Sequence, residues 1–292
     1  MSRSAGGTGP EVVVTGATGA VGRYVARLLG GEARLLVRDP GKAAALGLPG
    51  HVVRGDYREP ESLRAAFAGA GALFAVTNDP LRPQDDENLL EAARAAGVRH
   101  VVRLSWLGVT DPGADDLVAR WNRDGERRLR ESGLSWTVLR LRSPMSNALA
   151  WAGGIRAEGV VRVLGADAPT ACVDPADAAA VAVAALRDPD AHAGRAYGLT
   201  GPAAVSPRDQ VAVLAELLGR PLRVEELTPP QALAGWRRKL PEPVAQALLE
   251  MAGRRGDGVS ARVLPDVGRV LGRPAGSFRE WAGRHLESFA RT

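Results

Sequence analysis

The sequence predicts an α/β fold built on a doubly wound parallel sheet, with a smaller, mostly helical C-terminal region. Three observations carry that reading. Short β-branched runs alternate with helical periodicity through the first half. A glycine-rich turn joins the first such run to the first helix. From residue 206 onward the chain reads as helical segments broken by Pro and Gly.

The elements follow in order. Residues 11–15 (EVVVT) form a buried-strand run, and Val21, Val25, Leu28 and Leu29 then recur at helical spacing. Strands are predicted at 33–37 and 51–54, a helix at 61–68 and a fourth strand at 72–77. The helix at 87–96 ends at Gly97, a C-cap residue, and a fifth strand follows at 100–105. A helix at 117–131 ends near Gly133 and leads into a sixth strand at 136–141. After Met145 the order changes: 151–170 reads as loop plus a short strand or hairpin (GVVRVLGAD), 173–186 as a helix, 196–199 as a last strand. Helices at 207–218, 230–240, 244–252, 261–271 and 277–290 complete the chain and are expected to cap the carboxyl edge of the sheet.

A length of 292 residues suits one large domain or two intimate ones. With 45% hydrophobic and 24% charged residues, a disordered chain is excluded. The single cysteine, Cys172, excludes a disulfide framework or a thiolate metal cluster within one chain. Residues 1–10 read as a polar tail without the roughly 7–15-residue apolar stretch of a signal peptide. The longest apolar run, 178–186, falls short of the roughly 18 residues a spanning helix needs. No membrane partner and a cytoplasmic location are therefore expected. The net charge of +5 comes from dispersed arginines with only two lysines, Lys42 and Lys239, and acids interleave them in DGERRLRE (124–131). Without a basic stripe, no nucleic-acid partner is expected.

The motif that carries chemistry is TGATGAVG at 15–22, which places Gly16, Gly19 and Gly22 in the spacing G-x-x-G-x-x-G, with Ala20 between. It follows a strand and opens a helix, the setting in which glycines let the backbone approach a pyrophosphate held on the helix N-terminus. This is the Rossmann arrangement. The second strand ends at Arg38 where an NAD site usually has an acid; an arginine fork there, with Lys42 four residues on, suits the 2′-phosphate of NADP. Asp39, next to it, is the opposing signal for NAD. Asp56, after the third strand, either accepts from the adenine amino group or caps the helix starting near Glu59. Residues 11–150, completed by about 171–200, thus form a dinucleotide-binding domain, and 151–170 with 201–292 a substrate and cap region.

The chain resembles the NmrA-like group of atypical short-chain dehydrogenases/reductases, which includes NAD(P)H:quinone reductases and redox-sensing regulators. The resemblance rests on TGATGAVGR (15–23), LVRDPGKA (36–43), VVRGDYREPESL (52–63), AARAAGVRHVVRLS (92–105), RESGLSWTVLR (130–140) with MSN (145–147), AYGLTGPAAVS (196–206) and LGRPAGSFREWAGRH (271–285). It implies cofactor contacts at Gly16, Thr18, Gly19, Val21, Arg38, Asp56 and Thr77. It also implies a substrate pocket among Trp106, Trp121, Met145–Asn147 and the C-terminal helices.

The wider superfamily uses a tyrosine to protonate a carbonyl and a lysine four residues later to lower its pKa. This chain lacks the pair: Tyr24, Tyr57 and Tyr197 are followed four residues on by Leu28, Glu61 and Gly201. By resemblance the pair would fall at Val118 and Asn122. His51, His100, His192 and His285 are scattered, and the first two begin strands as structural histidines do. No metal-ligand spacing occurs, so no metal site is expected. Asp174, Asp177, Asp188 and Asp190 read as an N-cap, a helix-face acid and turn formers. Trp106 and Trp121 offer either a stacking surface or core packing. Ser105 and Thr77 either donate to the acceptor oxygen or nicotinamide ribose, or are satisfied by backbone.

A quinone needs little help with protonation, because its own ring stabilises the hydroquinone anion. The leading expectation is an NADPH-dependent oxidoreductase acting on a quinone-like or electron-poor aromatic substrate. Its catalytic acid is unassigned, and Ser105, Trp106, Trp121, Asn122, Met145 and Asn147 orient the substrate. A non-catalytic NADP(H) redox sensor with a protein partner and a biosynthetic tailoring reductase are the alternatives.

Overall fold

The computed structural model describes residues 11–254 and 258–290. Residues 1–10, read above as a tail, lie outside the described residues. The chain forms two compact units. One comprises the chain up to Ser105 with Asp124–Leu139 and Ala179–Tyr197; the other comprises Trp106–Arg123, Arg140–Ala178 and the chain from Gly198 onward.

Among the described residues the strands are β1 (Val12–Val14), β2 (Ala33–Val37), β3 (His51–Arg54), β4 (Ala72–Ala75), β5 (His100–Trp106), β6 (Ser135–Leu141), β7 (Val160–Val163), β8 (Arg195–Leu199) and β9 (Arg223–Glu226). The helices are α1 (Gly22–Leu29), α2 (Pro40–Ala45), α3 (Pro60–Phe67), α4 (Gln84–Ala95), α5 (Leu117–Glu131), α6 (Ala152–Glu158) and α7 (Pro175–Arg187). They continue with α8 (Pro189–His192), α9 (Pro207–Leu218), α10 (Pro229–Arg237), α11 (Glu242–Gly253), α12 (Asp266–Leu271) and α13 (Phe278–Arg284).

Seven strands form one sheet in the order β3-β2-β1-β4-β5-β6-β8, as the Rossmann reading requires. Val13 sits in parallel register between Arg34 of β2 and Leu73 of β4. The order reverses between β1 and β4, and at that point an open α/β sheet leaves a crevice beyond its strand carboxyl ends. β1 and β4 are buried throughout, which is why they read as unbroken apolar runs. Leu63 and Phe67 of α3, Leu89 of α4 and Leu129 of α5 pack on Val13, Leu73 and Val101. Each such buried side chain contributes about 1.5–3 kcal/mol.

In the second unit, Trp281 and Phe278 of α13 pack with Phe289, Ile155, Leu214 and Met145. The string at 271–285 that carried the family resemblance is structural. Ser277 caps α13 reciprocally with Glu280. Arg284 pairs with buried Asp174, the α7 cap that also accepts from the Ala176 N–H at 2.9 Å. Arg273 and the Gly276 N–H both reach Asp177 at 2.7 Å. No helix among the described residues is long and apolar enough to cross a membrane.

The structure departs from the sequence expectation in four places. Residues 145–158 are helical, a 3-10 turn at Met145–Trp151 followed by α6; of the short strand or hairpin expected next, the strand is present as β7, and it pairs in parallel with the unanticipated polar strand β9. Parallel pairing depends on a distant partner that local periodicity does not reveal. The segment 261–271 is divided at Pro265, so that α12 begins at Asp266. The last helix stops at Arg284 and a 3-10 turn follows at Leu286–Ser288. Finally, α2 was not anticipated; Asp39 caps it and Pro40 opens it.

Candidate functional site

The glycine turn begins at the carboxyl end of β1. The Thr15 hydroxyl donates to the Phe74 carbonyl (3.0 Å) and accepts from the Val76 N–H (2.7 Å), so β1 and β4 are clamped together where the turn departs. Gly16 has φ 60°, and a Cβ there would lie 3.0 Å from Val76 Cβ. The Gly19 N–H donates to the Gly16 carbonyl at 2.9 Å. A Cβ on Gly22 would fall 2.2 Å from that same oxygen, so only glycine lets α1 start against the turn. Ala17, Val21 and Gly22 are buried, Thr18 and Ala20 half-buried, and Gly19 exposed. No side chain caps the N-terminus of α1. Its orphan N–H groups, a glycine-only backbone and the carboxyl ends of β1 and β4 together fit a dinucleotide pyrophosphate.

At the end of β2, Arg38 is exposed and has no hydrogen-bond or ion-pair partner among the described residues. Asp39 is committed elsewhere: its carboxylate accepts from the N–H groups of Gly41 (2.9 Å) and Lys42 (3.4 Å). The acid that pointed to NAD thus serves as a helix cap. Lys42 lies exposed on α2.

Asp56 does not cap α3, whose N-cap is Glu59 without a side-chain bond. Instead its carboxylate accepts from the Arg58 backbone N–H and Nε, both at 2.9 Å, and from Nη2 at 2.5 Å. The hydrogen bond from the Arg58 side chain, with Arg38 as a further positive neighbour, holds its pKa down at about 2.

Thr77 and Ser105 are both buried, and both hydroxyls donate to buried carboxylates. Thr77 donates to Asp86 Oδ1 at 3.0 Å, and Asp86 is ion-paired with Arg103. Arg103 enters against α5 at Gly125, where a Cβ would lie 2.1 Å from its Nη2. Ser105 donates to Glu126 Oε1 at 2.7 Å, and Glu126 also takes Arg130 at 2.7 Å. The sequence reading missed this support, because Asp86, Arg103 and Gly125 come from three elements with no linear spacing between them.

Tyr57, Tyr197, His100 and Cys172 are each buried or engaged with another partner. Tyr57 donates to the Val76 carbonyl at 2.9 Å, and burial pushes its phenol up to about 12. Tyr197 meets His192 Nδ1 at 2.8 Å. His100 lies between the hydroxyls of Ser135 (2.9 Å) and Thr137 (3.1 Å), and burial lowers it to about 4. Burial likewise pushes the Cys172 thiol up to about 12, so it is no nucleophile.

In the second unit, Asn122 is buried and its Nδ2 donates back to the Val118 carbonyl at 2.9 Å. The two positions where the tyrosine and lysine would fall therefore include a residue pair that closes a helix bond. Trp106 is half-buried and packs its ring against Gly108, where a Cβ would lie 2.1 Å from the ring. Trp121 is half-buried with its Nε1 lacking an acceptor. Met145 and Asn147 line a cavity of about 600 Å³; Trp106, Trp121 and Asn122 are not in its wall. Also unforeseen is Arg142, 8% exposed, whose Nε has no acceptor. Burial lowers its proton affinity, with Asp111 opposing. Among the described residues no group of three or more His, Cys, Asp or Glu could hold a metal ion.

Residues 16–189 match the family described as NAD(P)H-binding. The chain is 50% identical over 281 residues to a (4-alkanoyl-5-oxo-2,5-dihydrofuran-3-yl)methyl phosphate reductase of Streptomyces griseus, covering 96% of this chain and 99% of the relative. It is 37% identical to an NAD(P)H azoreductase of Xenophilus azovorans, covering 95% and 99% respectively. In three dimensions it is similar to an NADPH-dependent quinone oxidoreductase of Escherichia coli complexed with NADPH. That likeness has a TM-score of 0.79 at 26% identity and covers 94% of this chain and 99% of that one.

Proposed function

The chain belongs to the NAD(P)H-binding family, with reductases among its relatives, and on that premise we propose that it reduces an electron-poor, carbonyl-conjugated acceptor with NADPH and without a built-in acid. Bound NADPH supplies a hydride. The backbone at Gly16, Thr18, Gly19, Ala20, Val21 and Gly22 would hold its pyrophosphate. Arg38, with Lys42 nearby, would take the 2′-phosphate, Asp56 the adenine side, and Thr77 the nicotinamide side.

The observation that carries the mechanism is the absence of a protonating group at Val118 and Asn122, together with the commitment of Tyr57 and Tyr197 to other partners. A protein of this kind contributes orientation and exclusion of water, and the acceptor must stabilise its own anion. A quinone does so through its ring. An alkene conjugated to two carbonyls does so as an enolate, and the ring named for the Streptomyces griseus relative's substrate is of that kind. That relative, at 50% identity, favours a second reading in which the chain is a biosynthetic tailoring reductase on a conjugated lactone. Ser105, Trp106, Trp121, Asn122, Met145 and Asn147 remain the proposed substrate-orienting residues.

The test is purified protein with NADPH and two acceptor panels, small quinones and acylated unsaturated lactones, followed by loss of nicotinamide absorbance. Turnover of either panel supports the proposal and ranks the two readings. Tight NADPH binding with no turnover of any acceptor would refute it in favour of a redox sensor.

A further inference from the structure

The cavity of the second unit has a charge pattern that hydride transfer alone does not explain. Its wall carries three cations, Arg162, Arg238 and Lys239, and no carboxylate. Arg162 is already neutralised by Glu158 at 2.7 Å and Glu225 at 2.8 Å. The other two are not. Arg238 makes one backbone contact, to the Ala234 carbonyl at 3.3 Å, and Lys239 has no side-chain partner among the described residues. Their neighbour Arg237 does find a carboxylate, Glu242, but does not line the cavity.

A second observation comes from Gln210, which lines the same cavity while only 9% exposed. Among the described residues its amide nitrogen donates to Cys172 Sγ at 3.9 Å, a weak acceptor at long range. A buried amide without a proper partner costs stability unless a ligand completes it. Trp151 and Trp236 add half-buried aromatic surface to the wall.

We infer that this cavity takes an acceptor bearing a phosphate monoester, with Arg238 and Lys239 binding the dianion, Gln210 bonding a polar group of the body, and the two tryptophans covering its apolar part. The inference rests on the reductase reading above. An arginine fork and a lysine point charge together match the geometry and charge of a phosphate.

The test uses two naphthoquinones that differ in one group, a hydroxymethyl or its phosphate ester, with the NADPH-loaded protein. The phosphate ester is expected to show a KM at least about tenfold lower, as one charge-assisted bond would give. The double variant Arg238→Ala/Lys239→Ala should erase that difference and leave the alcohol's kcat/KM unchanged. Both residues are exposed, so the variant should fold normally. In parallel, 1-naphthyl phosphate binding is measured by calorimetry on both proteins. Equal KM values for the two quinones, or equal naphthyl phosphate affinity in wild type and variant, would overturn the inference. If neither quinone is reduced but naphthyl phosphate binding depends on the two cations, the reductase reading fails and the anion site stands.

Discussion

Asp86→Asn should be among the most damaging conservative substitutions in the first unit. Asp86 and Arg103 are 2% and 3% exposed. The carboxylate takes Arg103 Nη1, Arg103 Nη2 at 3.3 Å and the Thr77 hydroxyl at 3.0 Å. Asparagine keeps one oxygen for these donors and turns an N–H toward the other guanidinium nitrogen. A buried charge is left uncompensated, which costs about 3–5 kcal/mol when one partner is removed. Against a total of about 5–15 kcal/mol, that is a large fraction. At about 2–4 °C per kcal/mol for chains of this order, the melting temperature should fall by roughly 6–20 °C. NADPH affinity should fall with it, because the Thr77 hydroxyl, just beyond β4, then shares its acceptor oxygen with a guanidinium whose charge is no longer compensated. The double variant Asp86→Leu/Arg103→Met should regain much of the loss, since replacing both charges removes the desolvation cost. Urea unfolding followed by circular dichroism measures both. A loss below about 1 kcal/mol for the single variant, or a double variant no more stable than the single, would refute the claim that the pair holds this corner together.

Arg38→Ala should weaken NADPH roughly 10- to 150-fold and leave NADH nearly untouched, with the difference shrinking at high salt; equal losses for both nucleotides in calorimetry would mean Arg38 has no part in the choice. Tyr24→Phe, Tyr57→Phe and Tyr197→Phe should each keep activity within a few-fold, whereas a true general acid contributes roughly 10²–10⁴; a folded, NADPH-binding variant that loses activity on that scale would overturn the acid-free mechanism. His100 is lowered from 6.5 to about 4 in the fold, so the unfolded chain takes up its proton first as pH falls. Its contribution is therefore intact above pH 6.5 and lost progressively down to about 4, with His100→Gln flattening that slope in chemical denaturation.

The sequence by itself determined the sheet, the nucleotide turn and the lack of a tyrosine–lysine pair. These are local facts. Buried strands such as Val12–Val14 and Ala72–Ala75 announce themselves as apolar runs, and Gly16, Gly19 and Gly22 recur at a fixed spacing, with Gly22 where a Cβ would strike the Gly16 carbonyl six residues back. Tertiary structure decided which charged residues are spent and which are free. Arg38 and Asp39 are adjacent and equally polar on paper, yet Asp39 is spent on capping α2 and Arg38 has no partner among the described residues. Arg237, Arg238 and Lys239 read as one basic run, but Glu242 takes the first and the cavity is left with the other two. Asp86, Arg103 and Gly125 share no spacing that periodicity detects, and meet only because α4, β5 and α5 pack together. Whether a charge is neutralised depends on which carboxylate folding brings within about 4 Å, and that partner can lie anywhere along the chain.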